Sequence, residues 1–200
     1  MIDTLDLQKY FQEPIAENCR TLFNHLGRYF YAMQRLQINK NDNVLDCSCG
    51  QGYGSYNIAL NANYVMGLDI NDSYLEKAQN NFKLDNLCFE NYNTFFKKGF
   101  QADKIICIET IEHLQDLNEI KLFIEKIHCC LKKNGRLFLS FPIGKNKASS
   151  YNSFHLCEPD IKSIYDIMKP YFNRIEFIVN TFVNNYNMKC DYCFMEAVND

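Results

Sequence analysis

From residue 43 onward the chain alternates between short apolar runs and stretches whose apolar residues recur every three to four positions. The runs at 43–47, 64–69, 87–91, 103–108 and 135–141 have the length of strands, and the periodic stretches between them read as helices. That alternation predicts a parallel sheet built from strand-helix-strand units. The clearest helix opens at Asp116-Leu117-Asn118-Glu119, with an acid at the cap and another three residues later. Leu117, Ile120, Ile124, Ile127 and Leu131 give it one buried stripe, and Lys132, Lys133 and Asn134-Gly135 supply the cations and the stop expected at its end. Upstream, 15–37 reads as a helix with Leu22, Leu26, Phe30 and Met33 on one face.

The last third changes character. Pro159 suits the first turn of a helix over 159–168, and two β-rich runs follow at 172–183 and 189–198, joined by Asn184-Asn185-Tyr186-Asn187. A short polar connection between such runs predicts an antiparallel hairpin at the edge of the sheet. The expected fold class is therefore α/β: a Rossmann-like doubly wound sheet, mostly parallel, with a C-terminal antiparallel hairpin.

Composition adds limits. Two hundred residues with 47% hydrophobic content and no Pro/Ser/Gly-rich linker suit a single domain over 1–200. The balance of 21 basic against 24 acidic residues, a net charge of -3, argues against nucleic acid as a partner. Met1-Ile2-Asp3-Thr4-Leu5-Asp6 carries acids where a signal peptide carries Lys or Arg. Nor does any apolar run approach the roughly 18 residues that span a bilayer, so no membrane span and a cytoplasmic location are expected. Of ten cysteines, Cys47, Cys88, Cys107 and the Cys129-Cys130 pair fall in apolar runs and read as buried thiols. Cys190 and Cys193 have C-x-x-C spacing, but no second pair or His cluster stands nearby in sequence, so no metal is expected.

The candidate chemistry starts at Val44-Leu45-Asp46-Cys47-Ser48-Cys49-Gly50-Gln51-Gly52-Tyr53-Gly54-Ser55, a strand that turns into a loop of three alternating glycines. Glycines there remove side chains that would keep a ligand from the backbone and permit dihedrals closed to other residues. Two ligand classes suit such a turn, dinucleotides and S-adenosylmethionine. The dinucleotide fingerprint wants a third Gly where Ser55 stands, and the Asp46 carboxylate would repel a pyrophosphate while welcoming ammonium and sulfonium charges. Asp69, closing the second strand ahead of Ile70, can accept from both hydroxyls of a ribose in either class. Asn93 and Thr94 follow the third strand and Glu109 the fourth, all at the carboxyl edge where doubly wound sheets bind ligands.

With Val44-Leu45-Asp46-x-x-Cys49-Gly50-x-Gly52-x-Gly54, Asp69, Glu109-Thr110-Ile111-Glu112-His113-Leu114 and Asn134-Gly135-Arg136-Leu137, the chain resembles the class I S-adenosylmethionine-dependent methyltransferases. Arg28-Tyr29-x-x-Ala32, Gly52-Tyr53-Gly54-Ser55, Phe141-Pro142 and Asn152-Ser153-Phe154-His155 further resemble small methyltransferases of bacterial surface-polysaccharide gene clusters. It departs from the family at Ser48, often Gly, at Asn93, often Asp, and at Ser153, often Pro. The resemblance implies an N-terminal helical cap at 1–40, a cofactor-binding core at 41–142, and an acceptor-side loop, helix and hairpin at 143–200. It implies S-adenosylmethionine contacts from Arg28, Tyr29, Asp46, Cys47, Gly50, Gly52, Tyr53, Asp69, Ile70, Asn93, Thr94 and Glu109.

The expected reaction is O-methylation of a small acceptor, a sugar hydroxyl or a phosphate or phosphoramidate group of a surface-polysaccharide precursor. His155, in a polar loop after the fifth strand, is the candidate base, and His113 lies close to the pocket in the same family pattern. Lys145 and Lys147 would suit an anionic acceptor. Two rivals remain: a non-catalytic cofactor-binding partner of another methyltransferase, and an NAD(P)-dependent oxidoreductase. Leu5, Leu7, Tyr10 and Phe11 would supply the contact with such a partner, or with a second copy in a homodimer.

Overall fold

A computed structural model of the chain describes residues 15–96, 99–183 and 189–199. Helix α1 (Ile15–Leu36) leads into β1 (Asn43–Cys47), α2 (Tyr53–Ala59), β2 (Tyr64–Asp69), α3 (Asp72–Asn81), β3 (Leu87–Asn91) and the single turn α4 (Tyr92–Phe95). Then come β4 (Ala102–Ile108), a 3-10 turn (Ile111–His113), α5 (Leu117–Cys129), β5 (Leu131–Pro142), α6 (Ile161–Met168), β6 (Arg174–Val183) and β7 (Lys189–Asn199). The seven strands form one sheet in the order β3-β2-β1-β4-β5-β7-β6. Pairing is parallel from β3 through β5, while β7 runs antiparallel to both β5 and β6. The α/β class, the doubly wound order and the edge hairpin are as the hydrophobic pattern predicts.

Successive strand residues point to opposite faces. Val44, Val65 and Ile106 pack with Tyr29, Ala32 and Leu36 of α1, Ile58 of α2 and Leu75 and Ala78 of α3. Leu45, Cys47, Leu68 and Ile105 pack on the other face with Phe95 of α4, Ile120, Ile124 and Ile127 of α5, and Ile164 and Met168 of α6. Because both faces are covered, the strands read as continuous apolar runs. β1 and β4 are neighbours whose following segments leave in opposite directions, and a crevice opens at their carboxyl ends.

Boundaries differ from the sequence reading at the α5–β5 junction and at the starts of α6 and β6, and by at most a single residue elsewhere. Helix α5 ends at Cys129, so Leu131 opens β5 opposite Ala102, and Lys132, Lys133 and Asn134-Gly135 lie within that strand. Leu131 is buried in the same apolar cluster that the helix stripe fills, so helix and strand periodicity both account for it. In α6, Asp160 is the cap, its carboxylate accepting from the Ser163 N–H at 2.7 Å, and Pro159 precedes the helix. The first hairpin strand begins at Arg174 rather than 172.

Cys47, Cys107 and Cys130 are buried as expected, whereas Cys88 and Cys129 are exposed. Both exposed cysteines directly adjoin buried positions, so an apolar run alone did not assign their face. Among the described residues, no helix is long and apolar enough to cross a membrane. Leu5, Leu7, Tyr10, Phe11 and the Asn184–Asn187 connection lie outside the described residues.

Candidate active site

The loop after β1 is built on left-handed backbone: Ser48 has φ 62°, Gly50 56° and Gly52 88°. Ser48 therefore adopts, at some cost in strain, the conformation for which Gly is the usual residue. Two bonds to β2 hold the loop down, Cys49 N–H to the Leu68 carbonyl at 2.8 Å and Gly50 N–H to Asp69 Oδ2 at 2.9 Å.

The glycines do different jobs. A Cβ on Gly54 would lie 2.2 Å from the Tyr29 ring, and one on Gly52 would lie 2.7 Å from both Ala78 and Phe89. These two glycines admit protein side chains. Only at Gly50 would an added Cβ meet nothing within 4 Å, so of the three it alone faces open space.

Asp46 lies beneath the loop, wholly buried. Its Oδ1 accepts from the Tyr29 hydroxyl at 3.1 Å and its Oδ2 from the Ser55 hydroxyl at 2.5 Å. Burial pushes its carboxyl up to about 7 against the opposing pull of those two bonds. Both oxygens are thus engaged inside the protein, which differs from the expectation that Asp46 meets the cofactor's charges directly. Cys47 is buried in the core on the other face of the sheet.

Helix α1 covers this end of the sheet. Tyr53 stacks edge-on against Tyr29 with ring centres 6.0 Å apart, and its hydroxyl meets His25 Nδ1 at 3.2 Å. Burial, then the nearby Arg28, lowers the His25 imidazole to about 4, so it is neutral at pH 7. Arg28 is buried, its guanidinium 4.5 Å above the Tyr192 ring and 3.8 Å from a Glu109 oxygen.

At the ends of β2 and β3, Asp69 accepts from Gly50 with one oxygen and from the Asn71 N–H with the other, at 2.9 Å each. Ile70 is 71% exposed beside it. Asn91 orders the adjoining turn: its carbonyl side-chain oxygen accepts from the Asn93 N–H at 2.9 Å, and its amide donates to Asp72 at 2.8 Å. Thr94 donates back to the Asn91 carbonyl at 3.0 Å, and the Asn93 side chain is left exposed on the rim.

Across the crevice, Glu109 follows β4 at φ 50°, a strained position for a side chain other than Gly. One of its oxygens accepts from the Ser140 hydroxyl at 3.1 Å; burial pushes its carboxyl up while Arg28 pulls it down. In the 3-10 turn that follows, Glu112 is wholly buried and neither of its carboxylate oxygens has a hydrogen-bond partner. Burial, and then the Glu109 charge, drive this carboxyl well above the usual carboxylate range.

The loop after β5 folds back onto that turn. Leu156 and Cys157 donate their N–H groups to the Glu112 carbonyl at 2.8 and 3.1 Å. His113 Nδ1 lies 2.8 Å from the Phe154 carbonyl, and His155 Nδ1 lies 2.7 Å from Glu158 Oε1. The two imidazoles meet edge to face, 5.1 Å between centres. Asn152 shapes the loop by accepting the Phe154 N–H at 3.0 Å. Lys145 and Lys147 are exposed, and the Asn146 amide between them ties the loop to Asp160 at 2.6 Å.

The chain folding thus gathers Asp69, Ile70, Asn93 and Thr94 on one bank and Glu109, His113 and His155 on the other, with Gly50 between β1 and β2 and Arg28 above Glu109. Sequence reasoning assigned no role to four polar residues of this region: His25, read only as part of a helical pattern, Ser55 as a partner of Asp46, Glu112 and Glu158. The last two had a signal, since Glu112 adjoins His113 and Glu158 stands three residues after His155.

A family model described as a methyltransferase domain matches residues 38–187. Among curated relatives, the ubiquinone biosynthesis O-methyltransferase of Coxiella burnetii is 28% identical over 117 residues, covering 56% of this chain and 48% of that protein. The chain thus spans about half the length of the curated relatives it matches. Among solved structures, the N-methyltransferase NodS from Bradyrhizobium japonicum, in complex with S-adenosyl-L-homocysteine, is similar with a TM-score of 0.68 at 14% identity, over 98% of this chain and 97% of that one. The Haemonchus contortus phosphoethanolamine N-methyltransferase 2, with S-adenosyl-L-methionine, has a TM-score of 0.71 at 15% identity, over 86% of this chain and 52% of that one. At such identities the structures speak for the fold, which is that of the class I methyltransferases. With the domain model running over residues 38–187, from just after α1 to beyond β6, the chain belongs to the methyltransferase-domain family.

Proposed function

We propose that the protein is an S-adenosylmethionine-dependent methyltransferase acting on a hydroxyl oxygen of a small acceptor. The observation that carries this reading is the link between Asp69 and Gly50, a carboxylate at the end of β2 bonded to the one loop glycine that faces open space. Each Asp69 oxygen accepts one main-chain bond and keeps capacity for a second, which suits the two hydroxyls of a ribose. Ile70 offers an apolar face for an adenine, and Asn93 a donor and an acceptor for its edge. Arg28, engaged with Glu109 and the Tyr192 ring, is the cation that the family resemblance assigns to the cofactor carboxylate.

When bound, S-adenosylmethionine supplies an electrophilic methyl on a sulfonium that departs as a neutral thioether. The protein's part is then alignment, which supplies much of the rate in such a displacement. The acceptor must also lose its hydroxyl proton. His113 and His155 fix their Nδ1 atoms on Phe154 and Glu158, so the other nitrogen of each ring is the one available to an acceptor.

Phe154, 76% exposed, and the exposed Leu156 flank the histidines and favour an acceptor with an apolar or aromatic body. The O-methyltransferase names of the curated relatives agree with oxygen as the attacking atom. The competing acceptor is a sugar hydroxyl or a phosphate-type oxygen of a surface-polysaccharide precursor; it rests on the motif resemblance and on the exposed Lys145 and Lys147.

A calorimetric titration with S-adenosylhomocysteine beside NADH tests the cofactor. Micromolar binding of S-adenosylhomocysteine alone is expected, and binding of NADH alone would replace this function with an oxidoreductase on the same fold.

A further inference from the structure

We propose that Glu112, His113 and His155 form a binding site for a divalent transition-metal cation. Each of the three can place one ligand atom within 4.8 Å of the other two. Atoms bound to one ion at about 2.1 Å lie at most about 4.2 Å apart, so the site need close by less than the width of an atom.

Three further observations point to a cation. Glu112 is fully buried, yet both its oxygens lack a partner, although buried carboxylates are normally paired or bound to metal. The hydrogen bonds select one neutral tautomer for both histidines: a main-chain carbonyl and a carboxylate only accept, so in the neutral ring Nδ1 carries the proton and Nε2 presents a lone pair. An imidazole that gives its other N–H to a carbonyl or carboxylate is the usual outer arrangement around a metal ion. Finally, Glu109 and Glu158 add two further acids beside Glu112, and Arg28 is engaged with Glu109 at 3.8 Å.

Two imidazoles and one carboxylate suit ions such as Mn2+, Co2+ or Zn2+ better than Ca2+, which prefers oxygen alone. Three protein ligands leave positions open, and His113 is on the exposed side. With both Nε2 lone pairs on the ion, the ion would take the place of the imidazoles as the group that eases loss of the acceptor's proton: it would lower the pKa of a hydroxyl bound to it, above all one with a second oxygen beside it to chelate the ion. That last role rests on the methyltransferase reading; binding of the ion does not. Such a site stands against the sequence expectation of no metal.

The test uses the full chain, stripped with a chelator and titrated with Mn2+ by electron paramagnetic resonance and with Co2+ by visible absorption. One ion per chain with micromolar affinity is expected, without a thiolate charge-transfer band in the Co2+ spectrum. Glu112→Gln and His155→Gln should each weaken binding about tenfold or more. Circular dichroism and S-adenosylhomocysteine binding should be retained, which separates loss of the ion from loss of the fold or of the methyltransferase reading. Absence of saturable binding by either ion, equal affinity in both variants, or a thiolate band would overturn the proposal. If Glu112→Gln does not fold, His155→Gln alone decides.

Discussion

The two banks of the crevice handle buried polar groups in opposite ways. On the β1–β2 bank every acid is used internally: Asp46 holds two hydroxyls, and Asp69 holds two main-chain N–H groups. On the β4–β5 bank Glu112 holds nothing, Glu109 sits on strained backbone, and two histidines each point one nitrogen away from their internal partners. The first bank is assembled in advance, with geometry fixed before any ligand arrives. The second keeps unmet acceptors in a low-dielectric setting, where they cost most and where a cation or donor would gain most. Under the proposed function, the difference separates a shape that would receive a rigid nucleoside from one that would hold charge near a reacting oxygen.

The largest test of this contrast concerns Asp46. Its folded-state carboxyl titrates near 7, above the ordinary 3.8, so the native state retains a proton that the unfolded chain releases. The contribution to stability is complete below about 4 and is lost as pH rises through about 7, a change of up to about 4 kcal/mol by linkage. Asp46→Asn should therefore gain stability relative to wild type across that window, as measured by urea unfolding of cofactor-free protein at several pH values. A pH-independent difference would mean that Asp46 is ionised throughout.

Next in size, Gly54→Ala drives a Cβ into the Tyr29 ring and should cost about 1–3 kcal/mol of stability. Gly50→Ala meets only its own positive φ, so it should cost about 1–2 kcal/mol. It should also weaken S-adenosylhomocysteine, because the added methyl intrudes on the open space. If both variants lose stability alike and bind alike, the loop glycines do not divide into packing and ligand-facing positions.

Asp69→Ala should weaken S-adenosylhomocysteine by roughly 1.5–3 kcal/mol, the value of charge-assisted bonds to a ribose. Calorimetry reads this directly, and unchanged affinity would remove Asp69 from the cofactor site. On the other bank His155→Ala should spare S-adenosylhomocysteine affinity while lowering turnover. An equal loss of both would join the two banks into one site.

Much of the fold was legible because strand and helix periodicity records burial, and burial here is nearly complete on both sheet faces. Asp69 and Glu109 stand out as candidates for a related reason: each ends an apolar run, and run ends in a doubly wound sheet lie at the ligand edge. The α5–β5 junction was misread because Leu131 satisfies both periods. Glu112 was overlooked since its neighbour His113 carried the more familiar chemistry, and nothing local announces that a carboxylate will be buried without a partner.

The sequence by itself determined where the strands fall, which loop carries the glycines and which acids stand at the strand ends, because these follow from the periodicity of side chains along a regular backbone. Only the tertiary structure decided that Gly50 alone of the three loop glycines faces open space, and that Tyr29 and Ser55 take up both oxygens of Asp46. It also brought His113 and His155 together beside an unpartnered Glu112. Those facts depend on which distant groups meet when the loop after β5 closes on the 3-10 turn, and local pattern carries no record of the partner across a gap.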